Sequence, residues 1–470
     1  MIADLKPYPA MKDSGVRWLG EVPAHWEVLP NRALFAEVIE REYPDEQMLS
    51  VTITQGVIRQ STLLDGSSKK DSSNQDKSAY KLVCPRDIAY NKMRAWQGAI
   101  GVSDLRGIVS PAYVVVRLRQ ANDARYFHHL FRTPQFSKEA ERWSYGITSD
   151  MWSLRPEHFK MIYCSLPSRE EQSAIVRFLD HVDRRIRRYI RARQKLIELL
   201  EEQKQAIIHR AVTRGLDPNV RLKPSGVEWL GDVPEHWEVK RCRYLFREVD
   251  RRSADGLEEH LSMSQRLGLV PSHLVENKTL VSESYAGGKL CKVGDLVLNR
   301  LKAHLGVFAL ARFPGVISPD YTVFRPTDPE GAAYFEPMLR SPACRRELRI
   351  RAKGIVEGFW RLYTDDFYDI RLPVPPLSER HAMLEHIRSA TSEIGHMAQG
   401  AECEISLLRE FRTRLIADVV TGKLDVREAA ARLPDEAEEA ESLHEADVLS
   451  NDAEDADDDF NTNPEEGAGA

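Results

Sequence analysis

Two short stretches concentrate the side chains that could do chemistry on a polyanion. Tyr90-Asn91-Lys92-Met93-Arg94-Ala95-Trp96-Gln97 and Asn299-Arg300-Leu301-Lys302-Ala303-His304 interleave hydrogen-bond donors, cations and rings. Arginine and lysine can bond guanine O6 and N7, asparagine and glutamine can pair with adenine N6 and N7, and all of them can hold phosphates. A solvated loop beside a strand would look similar, but the same Asn-basic-x-basic pattern occurs twice. Catalytic signatures are missing. The chain has no GxxxxGK[ST], no HExxH, and no FxGxG with an NPPF or DPPY box. A nuclease reading could start from Pro319-Asp320, yet the matching pair is Pro111-Ala112. Histidines such as His25, His128, His129 and His236 do not fall at metal-ligand spacings. No catalytic residue and no metal site is assigned.

These stretches sit inside a duplication. Residues 14–28, SGVRWLGEVPAHWEV, and 225–239, SGVEWLGDVPEHWEV, are identical at twelve of fifteen positions, 211 residues apart. YNKMRAWQGAIGV (90–102) answers LNRLKAHLGVFAL (298–310), and GIVSPAYVVVRLR (107–119) answers GVISPDYTVFRPT (315–327), both at an offset of 208. A period this long is a repeated domain and not a solenoid. Trp, Pro and His at fixed spacing in the two straps suit a rigid packed segment, or equally a surface for a protein partner. The halves diverge most over 55–80 and 265–288, where little text is shared and the loops differ on one scaffold. Gln55, Lys69, Lys70 and Gln265 in these stretches, and Lys289 immediately after the second, are secondary candidates. A further cluster, Trp143–Trp152, answers Arg351–Arg361, with Gly146 and Gly354 allowing a tight turn.

Within each half, Ile108–Leu118 and Val316–Phe324 are predicted strands, rich in Val, Ile and Tyr. Tyr126–Arg132 and Tyr334–Arg340 are predicted helices that stop at Thr133-Pro134 and Ser341-Pro342. Without a regular βαβ alternation, the class is α+β.

Each half ends in a long amphipathic helix. Leu179, Val182, Ile186, Tyr189, Arg193, Leu196, Leu200, Gln203 and Ile207 alternate by threes and fours, which is a coiled-coil seam. Ser168 and Glu171 predict a capping box, Pro218 a stop, and a rod of roughly 60 Å lies between. Met383, Ile387, Ala390, Ile394, Met397, Ala401, Ile405, Leu408, Leu415 and Val419 repeat the pattern. Both helices end alike, in TRGLD (213–217) and TGKLD (421–425), which makes them partners. Gly395 and Gly400 should bend or loosen the second, at about 1 kcal/mol each. The segments are thus 1–167, strap and first domain; 168–217, central helix; 218–375, strap and second domain; 376–425, distal helix; and 426–470, an acidic disordered tail.

The formal charge of −6 hides two regions of opposite sign. Residues 434–470 hold fifteen Asp or Glu and no Lys or Arg, leaving 66 basic against 57 acidic side chains in 1–433. A basic body suits a polyanion, although this excess alone is weak support. Six scattered cysteines form no C-x-x-C pair, and no signal peptide or membrane span is visible, so a reducing cytoplasm fits.

The paired straps, YNKMRAWQGAIGV with GIVSPAYVV, and the LPSREEQ…IVRFLD helix start resemble the specificity subunit of type I restriction-modification enzymes, over about residues 14–425. That resemblance implies two target recognition domains with pseudo-twofold symmetry, each reading one half of a split site on double-stranded DNA. It implies an antiparallel coiled coil that sets their spacing. It also implies two methylation subunits using S-adenosylmethionine, and motor-nuclease subunits using ATP and Mg²⁺, with no cofactor on this chain. Methylation of adenine N6 requires a flipped base, so each domain should hold duplex on both sides of it. The residues implied are Asn91, Lys92, Arg94, Trp96 and Gln97 in the first domain, and Asn299, Arg300, Lys302 and His304 in the second. The rival readings are a coiled-coil scaffold that meets an acidic partner without reading sequence, and a nuclease with a site in one half.

Overall fold

A computed structural model describes residues 5–64, 76–146, 151–264, 267–275, 285–354 and 360–434, the side chains of Leu64, Ala303 and His304 excepted. Contacts divide the chain into two units, residues 1–189 with 407–470, and residues 190–406. The first unit thus draws on both ends of the sequence.

In the first unit a four-stranded antiparallel sheet runs in the order Phe35–Val38, Tyr113–Leu118, Ile88–Asn91, Ile100–Val102. Val114, Val115 and Val116 are all buried, so this central strand is covered on both faces. Phe35, Phe127, Phe131, Phe136 and Phe159 pack ring against ring beneath it. The second unit repeats the sheet as Phe246–Glu248, Tyr321–Pro326, Leu296–Asn299, Phe308–Leu310, over Phe246, Phe324, Phe335 and Phe367. The predicted strand Ile108–Leu118 is in fact two, Gly107–Val109 and Tyr113–Leu118, which pair with different neighbours. Pro111 has no N–H to give a ladder, and Ser110 turns the chain by accepting from Ala112 N at 3.3 Å. Pro319 and Ser318 break Val316–Phe324 in the same way.

The predicted helices form with shifted bounds, Ala124–Phe131 and, after the 3₁₀ turn Ala332–Tyr334, Phe335–Arg340. Each is followed by a second helix, Pro134–Arg142 or Pro342–Arg351, with proline in its first turn and Thr133 or Ser341 as cap.

The long helices are Arg169–Arg214 and Leu377–Val420. In the first unit Leu179, Val182 and Ile186 are buried and line a narrow gap with Leu415 and Ile416, beside the Asp183–Arg412 ion pair. In the second unit Leu200, Ile394 and Ala398 form the seam, and Arg193 bonds Glu404 at 2.6 Å. Rising numbers on one helix meet falling numbers on the other, so the pairing is antiparallel. Tyr189 departs from the predicted seam, being 56% exposed, and Ala398 is buried where Met397 was expected. Helix Leu377–Val420 runs unbroken through Gly395 and Gly400. Ser168 accepts from Glu171 N at 3.3 Å, but the return bond of a capping box is not made. The Glu171 carboxylate instead takes Tyr8 Oη at 2.6 Å and His25 Nε2 at 3.0 Å.

Those contacts explain the straps. Trp26 and Trp237 are fully buried. Trp26 lies against Gly422, just past the distal helix, and Trp237 against Gly215, just past the central one. Both glycines are left-handed, as helix-terminating glycines commonly are. The tail was bounded too early at 426. Arg427–Ala431 is helical, and Val426, Ala430 and Leu433 are buried.

Candidate nucleic-acid interface

In the first unit the chain leaves the sheet at Asn91, whose Oδ1 accepts from Met93 N at 3.1 Å. It then winds through the 3₁₀ turn Ala95–Gln97, which closes on left-handed Gly98. Trp96 donates to Met93 O at 2.9 Å and meets Trp152 edge to face at 5.6 Å. Leu154 N donates to Lys92 O at 2.8 Å, fastening the Trp152 segment alongside. Tyr113 lies across the sheet from Asn91. Burial pushes the Tyr113 hydroxyl pKa up, against opposing effects from Arg94 and Asn91.

Arg132 holds the other side. Its guanidinium donates to Gly98 O at 3.3 Å, Ile100 O at 3.0 Å, Ile53 O at 2.8 Å and Thr54 O. One fork therefore joins the 91–98 loop to the turn carrying exposed Gln55. Burial pushes the Arg132 pKa down to about 10, helped by Arg412 and Arg187. The result is a cluster of four loops, 53–55, 91–98, 110–113 and the segment around Trp152. Gln97, Met93 and Gln55 are exposed on it, and Lys92, Arg94 and Trp96 are partly so.

The second unit rebuilds the frame. Asn299 Oδ1 accepts from Leu301 N at 3.1 Å and Lys302 N at 3.3 Å. Leu362 N donates to Arg300 O at 3.2 Å, as Leu154 does to Lys92. Arg340 takes the place of Arg132, bonding Phe308 O at 3.1 and 2.6 Å. Lys302 is exposed, while Arg300 is turned to Asp320 O at 2.8 Å. His304 lies on the turn Arg300–Leu305, with its side chain outside the described residues.

Several candidates take other roles here. Asn91 and Asn299 spend their acceptor oxygens on the turn backbone, so they shape the loops. Lys289 is buried at 4% exposure, 3.8 Å from both Glu248 and Asp250, and cannot reach a phosphate. Its counterpart Lys81 is also buried, donating to Tyr113 O at 2.6 Å, so this lysine is part of the scaffold. Lys69, Lys70 and Gln265 lie outside the described residues. The sequence reading missed Arg132 and Arg340; their signal was an arginine kept at the 208 offset at the end of both short helices. It also missed the Asp87–Arg117 and Asp295–Arg325 pairs, which tie sheet strands together at 2.7 and 2.9 Å. Among the described residues no group of three His, Cys, Asp or Glu could hold a metal ion. No helix of the described residues is long and apolar enough to cross a membrane.

Neither a protein-family model nor a curated protein matches this chain by sequence. Solved structures do match. A chain from a structure of the type I restriction-modification system, concerned with complex assembly and conformational transition, aligns with a TM-score of 0.61. It is 15% identical, over 86% of this chain and 99% of its own. This chain shares the fold of that chain from the type I restriction-modification system. The HsdS subunit of Thermoanaerobacter tengcongensis aligns at a TM-score of 0.42 and 16% identity, over 86% and 98% of the two chains. The S subunit from M. genitalium aligns at 0.33 and 13%, over 84% and 96%.

Proposed function

We propose that this chain is the specificity subunit of a type I restriction-modification complex and reads double-stranded DNA. Each loop cluster takes one half of a bipartite site. The supporting observation is one loop framework built twice, with different residues at matching positions. Arg94, Trp96 and Gln97 in one half stand where Lys302, His304 and Leu305 stand in the other. A shared frame with exchanged side chains is what two different half-sites require, because base edges are told apart by side-chain donors and acceptors. Two methylation subunits carrying S-adenosylmethionine would modify adenine N6, and motor-nuclease subunits with ATP and Mg²⁺ would restrict. This chain would supply DNA recognition without catalysing either step.

The test is an adenine-methylation map of the host genome with and without the gene. Loss of a single split motif, two short blocks around a fixed gap, supports the reading and supplies the target. An unchanged map in a strain that makes the methylation subunits overturns it and leaves the scaffold reading.

A further inference from the structure

The second unit carries a charge that the first does not. Its helix Pro342–Arg351 packs against the turn Arg300–Leu305, as helix Pro134–Arg142 packs against Ala95–Gln97 in the first unit. The two helices correspond at the 208 offset and share a proline first turn, but not their charge. Pro342–Arg351 has four arginines and one glutamate, whereas Pro134–Arg142 has two basic and two acidic residues. The exchange falls on the positions nearest the loops. The Arg345 side chain runs against left-handed Gly306, so closely that a Cβ there would stand 2.7 Å from its Cγ. Ser137 holds that place beside Gly98, its Oγ 3.9 Å from the corresponding point. Arg349, where the first unit has Glu141, lies over the Trp360 ring at 5.5 Å. That ring is two residues before Leu362, which is fastened to Arg300 O.

The fold does not consume these charges. Among the described residues Arg345, Arg346 and Arg349 form no ion pair, and the Arg345 Nε is buried without a hydrogen-bond partner. The helix's own carboxylate, Glu347, bonds Arg351 at 2.7 Å. Arg346 and Arg349 are exposed. Stacking on Trp360 occupies the face of the Arg349 guanidinium and leaves the donors on its edge for an anion. The first unit builds the same frame with Ser137 and Glu141, so packing does not call for arginine at either place. Arg346 answers Lys138, so the difference between the units is made at 345 and 349. We propose that Arg345, Arg346 and Arg349 hold backbone phosphates of a duplex engaged by the second loop cluster. The inference rests on DNA reading by that cluster, and adds that the two units grip the backbone unequally. Guanidiniums at these places fix the duplex in register and strengthen binding without themselves carrying sequence information.

Binding of the full chain to two duplexes across a salt series tests it, one carrying the mapped motif and one of shuffled sequence. The double variant Arg345→Ser with Arg349→Gln should lower the slope of log affinity against log salt by roughly two on both duplexes. The preference for the motif should stay within about twofold, because phosphate contacts act alike on every sequence. Arg345→Lys with Arg349→Lys keeps the charge and should keep the parent slope. Arg349→Gln alone, at an exposed position, should lower the slope by about one even if the double variant fails to fold. An unchanged slope for Arg349→Gln and the double variant overturns the clamp, while a parent that still prefers the motif leaves the reading of DNA standing. A parent with no preference overturns that reading instead, and the shuffled duplex still decides the clamp. Unchanged slopes with weakened assembly of the complex would make this row a protein contact and overturn the proposal.

Discussion

Tyr126 donates its hydroxyl hydrogen to the backbone carbonyl of Val420 at 3.1 Å, across 294 residues of sequence. Its repeat counterpart, Tyr334, donates to Val212 O at 2.7 Å. Each bond ties the base of a loop-bearing body to the end of a long helix, inside an environment that excludes water. Replacing either tyrosine with Phe leaves a buried carbonyl short of its partner. Each variant should lose about 1–3 kcal/mol in denaturant unfolding.

Three glycines should respond in opposite directions. Gly422 has φ +79°, and a Cβ there would stand 2.3 Å from Pro23 Cδ and 3.1 Å from the Trp26 ring. Gly422→Ala should lower the melting temperature and cost about 1–3 kcal/mol. Gly395 and Gly400 lie mid-helix, with open space where an alanine methyl would stand. Changing either to Ala should stabilise the chain by about 1 kcal/mol.

The Asp183 carboxyl is partly buried, which alone would raise its pKa. The Arg412 and Arg187 guanidiniums outweigh burial and hold it below the usual carboxylate range. A depressed folded pKa contributes stability that is present above the unfolded value, near 3.8, and is lost as pH falls through the folded one. Asp183→Asn should therefore be less stable than the parent at neutral pH, and the gap should close at the acid end of a pH-stability series.

Arg132 positions a loop, with its guanidinium committed to four backbone carbonyls. Arg132→Lys keeps the charge but cannot bridge four carbonyls, so hydrogen exchange in peptides around 53–56 and 96–100 should rise about tenfold. Arg94→Ala should instead leave exchange unchanged, relax one half-site only in the methylation map, and preserve assembly of the complex. Loss of the whole complex would remove Arg94 from the interface.

Lys302 and Lys289 separate a surface cation from a buried one. Lys302→Ala should reduce the salt slope of duplex binding by about one. Lys289→Met should leave that slope unchanged and act through folding alone.

Much of this architecture is local in origin and so was legible in the chain. Three-four spacing of Leu179, Val182, Ile186 and Leu200 needs only helix geometry to mark a seam, and a twelve-in-fifteen strap repeat announces two copies of one unit. Where the straps go was not local. Trp26 rests on Gly422 and Trp237 on Gly215 because each unit is completed by the end of the other half's helix, a partner no spacing rule connects. The same limit applied at the loops. Asparagine, lysine and arginine carry similar promise on paper, but tertiary hydrogen bonding directed Asn91, Asn299 and Arg300 inward and buried Lys289. Residue type sets what a side chain can donate or accept; only packing decides whether that capacity is spent within the protein or left for a ligand.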